Sequence, residues 1–441
     1  MSPAFVPATI TAALATAGVH LPGAAVPLRH PWAAGIIFAF AFILISFRQL
    51  RWLPIGRPAG AMTGAVLMVV AGVMTPEEAY ALVNWDTICL LLGMMILAEY
   101  LRDAGLFEEV SRHLRGIGSP FLFLAALSLL AGILSAIFVN DTICVVMTPL
   151  LLILCRELRL KPFPYLMALA TSSNIGSALT LTGNPQNMII GTMSRLSYAG
   201  FLAKMALPVG VGLGLNLLLL WLYYGKSLTS DRTLRIVGKP GRETTGEPTD
   251  LRIGLFSLGV AVAGFFAGFS MAFSALGGAA LVIILHRKDP RLLLDRVEWS
   301  LLLFFAGLFV VIGGLKTSGL ADHLTRASLE LLRGDPTRQA WVFSGLTLIG
   351  SNLFSNVPYV LLVGHAIPHL PHSEFFWCLL AFASTVAGNL TLIGSVANLI
   401  VAELAKDTCE MGFRRYARFG VPSTLLVTGV GTLVLLYLFP V

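Results

Sequence analysis

Charge is scarce in this sequence. Of 441 residues only 12% are Asp, Glu, Lys or Arg, while 56% are hydrophobic and the mean hydropathy is +0.82. A soluble domain carries about twice that share of charge, so this chain cannot wet the surface of a globule of its size. A soluble enzyme, a disordered chain and a disulfide-stapled secreted domain are excluded. Catalytic patterns are missing too. No Gly-x-x-x-x-Gly-Lys-Ser/Thr loop occurs, so an ATP-driven pump needs a separate subunit, and no His-Glu-x-x-His or Gly-x-Ser-x-Gly site suggests a hydrolase. Cys89, Cys144, Cys155, Cys378 and Cys409 lack Cys-x-x-Cys spacing and read as small buried hydrophobes. His365, His369 and His372 have helical ligand spacing, but Pro368 and Pro371 break the helix that would align them. Neither an enzyme nor a resident metal or cofactor is expected.

What is present is a series of apolar runs long enough to span hydrocarbon as helices. They fall at 33–49, 58–74, 86–101, the pair 119–138 and 141–156, 163–191 (interrupted) and 203–224. The second half repeats the series at 252–270, 273–286, 299–316, the pair 340–356 and 358–370, 375–401 (interrupted) and 419–439. With the 48–57 loop placed in the cytoplasm, 23 of the 30 basic residues fall inside. The net charge of +7 therefore reports orientation in a cell membrane rather than a nucleic-acid partner. All seven tryptophans lie at or near span ends, as interfacial residues do. The expectation is an all-α polytopic plasma-membrane protein in contact with lipid, its C-terminus outside. Residues 1–30 are apolar but rich in Ala, Thr and Pro, and read as an interfacial segment or an extra span.

Sliding the chain by 214 positions aligns Gly64 with Gly278, Pro76 with Pro290, Trp85 with Trp299, Gly93 with Gly307 and Gly105 with Gly319. A shift of 216 puts Ser135, Phe138 and Asn140 on Ser351, Phe354 and Asn356. A shift of 211 puts Leu179, Thr180, Gly183 and Asn187 on Leu390, Thr391, Gly394 and Asn398. Residues 31–224 and 251–441 thus read as two repeats joined by a cytoplasmic linker, 225–250. Each holds three spans, an amphipathic stretch (102–116 and 317–335), a helical pair with a polar tip, a broken helix and a final span. An odd number of crossings inverts the second repeat, the architecture of secondary transporters. The first pair either crosses fully or forms a re-entrant hairpin. A tip without a basic anchor leans towards the hairpin.

Four uncharged polar clusters interrupt the apolar background. The first unit has Asn140-Asp141-Thr142 and a run containing Ser173, Asn174, Gly176, Thr180, Thr182, Gly183, Asn184 and Asn187. The second has Ser355-Asn356-Val357 and a run containing Gly388, Asn389, Thr391, Gly394 and Asn398. Gly183 and Pro185 end a helix, and backbone freed at membrane depth is tolerated only where protein or a water-filled cavity meets it. Freed N–H groups favour an anion, freed carbonyls a small cation. Two related clusters facing each other would enclose one solute. Asp141 stands out, because a carboxylate in mid-membrane is expensive and marks function; burial would let it load and release a proton. Val357 stands at the matching position, so the halves are chemically unequal. No Lys or Arg lies in the clusters, so an anion would depend on N–H dipoles alone. Glu99, near the inner end of its span, reads as interfacial.

At these clusters the chain resembles the ion transporter superfamily. Phe138-Val139-Asn140-Asp141-Thr142 with Thr148-Pro149 is similar to the Asn-Asp…Thr-Pro tip of arsenite permeases, including bacterial arsenical pump membrane proteins. Ala168–Ser177 followed by Thr182-Gly183-Asn184-Pro185-Gln186-Asn187 resembles the anion-permease branch that includes plant silicon-efflux transporters. The resemblance implies a homodimer, each protomer carrying a scaffold and a transport domain that moves like an elevator. Related symporters carry Ser-Asn-Thr at both tips; the departure here puts sodium coupling and dicarboxylates in doubt and favours a coupling proton. The reading is a proton-coupled antiporter exporting arsenite, silicic acid or a related oxyanion, against a sodium-coupled importer of dicarboxylate or sulfate.

Overall fold

The structure is a computed structural model, described for residues 31–46, 56–228, 248–287, 289–320, 330–332 and 334–439. The segment 1–30, most of the 225–250 linker and the middle of the 317–335 stretch lie outside the described residues. All regular structure among the described residues is helical. In order these are α1 (Pro31–Ser46), α2 (Arg57–Val70), α3 (Pro76–Leu82), α4 (Trp85–Asp103), α5 (Leu106–Arg115), α6 (Pro120–Ile137), α7 (Asn140–Glu157), α8 (Pro162–Ser177), α9 (Pro185–Ser194) and α10 (Tyr198–Leu228). There follow α11 (Pro248–Phe266), α12 (Met271–His286), α13 (Arg291–Leu294), α14 (Trp299–Thr317), α15 (Pro336–Phe354), α16 (Asn356–Gly364), α17 (Ser373–Ala387), α18 (Val396–Ala405) and α19 (Phe413–Leu438). Five of the described helices are each long and apolar enough to cross a membrane, and six are if α3 and α4, bent by 53°, count as one. The chain is a multi-pass membrane protein.

Local sequence explains where helices begin. Ser119, Asn184 and Asp335 each precede a proline, and their side chains accept the backbone N–H three residues on, at 3.4, 2.8 and 3.0 Å. That pairs a cap with the residue least harmed by lacking a first-turn donor. Thr75 and Glu78 close a capping box ahead of α3. Pro149 lies inside α7, which nonetheless continues; the preceding Thr148 returns its hydroxyl to the Cys144 carbonyl at 2.6 Å.

Packing pairs helices crosswise between the two halves. α4 lies on α12 and α2 on α14, while α7 lies on α18 and α9 on α16. The closest approaches recur. A Cβ on Gly93 would strike the backbone of Ala275, and one on Gly307 the backbone of Ala61. These are the same two positions with the halves exchanged, since 93 and 61 become 307 and 275 on adding 214. Two groups of helices result, α1, α2 and α14 in one and α6 to α9 with α15 to α18 in the other. A cavity lies where they meet.

Candidate functional site

The two interrupted stretches, residues 178–184 and 388–395, are held by the same hydrogen bonds. Asn187 Nδ2 donates to the carbonyls of Ser177 (3.3 Å) and Thr180 (2.9 Å). Asn398 Nδ2 donates to the carbonyls of Gly388 (2.8 Å) and Thr391 (3.3 Å), each 211 positions further on. Carbonyls released by the helix break are therefore satisfied within the protein, as a low-dielectric setting demands. Further bonds close the first stretch. Asn184 Nδ2 donates to Ser177 Oγ at 2.9 Å, and the Asn140 backbone N–H donates to the Gly183 carbonyl at 3.0 Å. Thr180 donates to the Ala136 carbonyl at 2.5 Å, and Thr182 lies 3.3 Å from the Tyr198 hydroxyl.

Asn174, fully inside α8, joins the two stretches. Its Oδ1 accepts from Asn140 Nδ2 (2.8 Å) and Ser395 Oγ (3.1 Å), while its Nδ2 donates to Asn389 Oδ1 (2.8 Å) and Asn398 Oδ1 (3.1 Å). Asn389 in turn donates to the Thr171 carbonyl at 3.0 Å. Ser173 donates to the Ala170 carbonyl and also meets Cys144 Sγ. Gly176 lies so close to Gly132 that no side chain fits between α6 and α8. Behind this layer Asn216 of α10, which sequence reasoning passed over as one polar residue in an apolar span, binds Thr171, Ser172 and Ser423 at 2.9, 3.1 and 3.0 Å.

In front of the layer is a cavity of about 370 Å³. Of the residues expected to hold a solute, Asn140, Asp141, Ser355, Asn356, Val357 and Gly394 line it. Thr142, Ser173, Asn174, Gly176, Thr180, Thr182, Gly183, Asn184, Asn187, Gly388, Asn389, Thr391 and Asn398 do not; most of them build the wall behind it. The cavity walls also include Pro185, Gln186, Ser395 and Val396 from the breaks, and the rings of Phe304 and Phe305. Six helices (α2, α7, α9, α14, α16 and α18) begin at this cavity. Their partial positive ends converge on one volume, an environment that favours negative charge.

Both charged lining residues besides Asp141 were missed as site residues. Arg57 opens α2, and Glu298 caps α14. The expectation that an anion would meet N–H dipoles alone is thereby corrected: a guanidinium lies in the cavity and interacts electrostatically with Asp141. Arg57 Nε is buried without a hydrogen-bond partner, and so is Asn356 Oδ1. The only clue in the sequence was a charge immediately before an apolar run, followed by Pro58. Glu99 lies away from the cavity and pairs with Arg102.

A polar, charge-bearing chamber where broken helices meet inside a multi-pass bundle defines a membrane transporter. Comparison with known proteins agrees. Residues 40–378 match the profile of the citrate transporter family, CitMHS. A Dictyostelium discoideum protein named as transporter arsB is 32% identical over 91% of each chain. The rice silicon efflux transporter LSI3 is 32% identical over 90% of this chain and 96% of its own. In structure, the Alcanivorax borkumensis YdaH transporter superposes with a TM-score of 0.55 over 92% of this chain at 14% identity, a likeness of fold. The chain belongs to the CitMHS citrate transporter family, within the ion transporter superfamily.

Proposed function

We propose that this protein is a proton-coupled secondary transporter that exports a small inorganic solute, such as arsenite, silicic acid or a related oxyanion. One observation carries the reading: Asp141, a titratable carboxyl, lies on the wall of the membrane-embedded cavity. The names of the arsB and LSI3 relatives point to the same solutes. Two inverted repeats, 31–224 and 251–441, form the frame, with each helical pair acting as a re-entrant hairpin. The reciprocal Gly93–Ala275 and Gly307–Ala61 contacts support that reading. The helix group bearing α7 and α16 moves as an elevator past α2 and α14 in each protomer of a homodimer. Arg57 and Glu298 follow the basic loops assigned to the cytoplasm, so the cavity faces inward.

The test is flux into proteoliposomes under an imposed proton or sodium gradient, screening arsenite, silicic acid, sulfate and succinate. Arsenite or silicic acid flux driven by protons is the expected result; flux indifferent to both gradients defines a passive channel and overturns the proposal. A second reading, sodium-coupled uptake of a carboxylate, is favoured by the family's citrate name and by a cation in the cavity. Sodium-only stimulation of succinate flux would establish it.

A further inference from the structure

Arg57 and Asp141 share one cavity but belong to different packing groups. Arg57 begins α2, which lies on α1 and α14; Asp141 is in the first turn of α7, which lies on α5, α6, α8 and α18. Of the described groups around Asp141, Arg57 and Glu298 are charged, and Cys144 is the titratable neighbour on its own helix. Asn140, Gln186 and Asn356 are neutral. The Arg57 side chain is mostly buried, its Nε without a hydrogen-bond partner, and it shares the chamber with the acid, with which it interacts electrostatically. α2 and α7 share none of the main helix contacts, so sliding of one group past the other changes the distance between the two charges.

We propose that Arg57 is a positioning residue that acts through Asp141, driving the proton off the carboxyl whenever the two lie together in this cavity. This rests on the transporter reading given above and adds what makes proton release conditional on position. A carboxylate beside a guanidinium is favoured over the acid, and the six helix N-termini push the same way. Once ionised, Asp141 only accepts hydrogen bonds, as does the unpartnered Asn356 Oδ1. The chamber then suits a solute whose hydroxyls donate, with Arg57 opposing the negative charges of Asp141 and Glu298. Proton and solute become mutually exclusive at one carboxyl, which is the condition for exchange. With Arg57 left behind on the other side, the carboxyl reloads its proton.

Two measurements test this. In proteoliposomes, the pH profile of proton-driven arsenite flux should move upward by about one unit in Arg57→Gln. It should stay near wild type in Arg57→Lys, which keeps the charge. A uniform loss across pH with no displacement would mean a structural role and overturn the proposal, as would Arg57→Lys behaving like Arg57→Gln. Infrared spectroscopy of the purified protein provides a readout that needs no transport. At pH 7.5 the protonated-carboxyl band should be absent in wild type, present in Arg57→Gln, and absent again in Arg57→Gln/Asp141→Asn. Its absence in Arg57→Gln overturns the proposal even if flux is observed. Its presence upholds the Arg57 role even if arsenite proves not to be the solute. Glu298→Gln should leave the Arg57→Gln band in place; its disappearance would assign the band to Glu298 and overturn the proposal.

Discussion

The tip joining α6 to α7 and the tip joining α15 to α16 reach the same cavity in different chemical states. In the first, Asn140 is bonded through its backbone N–H and its side chain, and the next residue, Asp141, supplies charge. In the second, Ser355 sits at φ +68°, the Asn356 Oδ1 is buried without a partner, and Val357 is apolar. One tip is tied down and titratable; the other is strained and neutral. The two breaks share a frame of hydrogen bonds while the tips beside them differ in chemistry, and under the proposed proton coupling only the first tip has a side chain to carry the proton.

The contrast breaks most completely at the charge. Asp141→Asn should abolish proton-driven arsenite flux in a correctly folded protein, while Val357→Ala should leave the pH dependence where it is; equal losses in the two would mean the tips are equivalent after all. A smaller effect separates the two glycines of the breaks. A Cβ at Gly183 would collide with the Ser177 carbonyl and the backbone of α6, whereas one at Gly394 first meets the side chain of Asn352. Gly183→Ala should therefore lower the thermal midpoint by the equivalent of about 2–3 kcal/mol, and Gly394→Ala by about 1 kcal/mol or less. A differential scan of the purified variants in detergent reads the order, and a reversed order would contradict the packing described here. The smallest effect concerns strain. Ser355→Gly should gain about 1 kcal/mol of stability, because glycine occupies positive φ without penalty, and should leave the flux pH profile unshifted.

Much of this arrangement was legible in the sequence because its causes are local. Pro185 behind Gly183 and Asn184 announces both a helix end and the next helix start, and the structure has α8 ending at Ser177 and α9 beginning at Pro185. The polar tips were equally plain. What could not be read was direction. Asn174, Asn389 and Asn398 were taken for solute ligands, but their amides are consumed by one another and by broken-helix carbonyls. Sequence spacing tells that an Asn is buried near a break, not whether it faces a void or a loop. Arg57 and Glu298 failed for the opposite reason. They sit at span ends, where Arg57 counted only towards sidedness and Glu298 drew no reading, and only tertiary packing brings those ends level with the tips of other helices.

Asn174 has one further consequence. Both lone-pair positions and both amide hydrogens of this single side chain are engaged, with partners drawn from residues 140, 389, 395 and 398. It works as a rivet through two plates. Prising the plates apart one at a time would strand several polar atoms in a dry interior, each at roughly 1–3 kcal/mol. Under the elevator movement proposed above, the whole riveted block travels at once, so the hinge has to be sought at its margins.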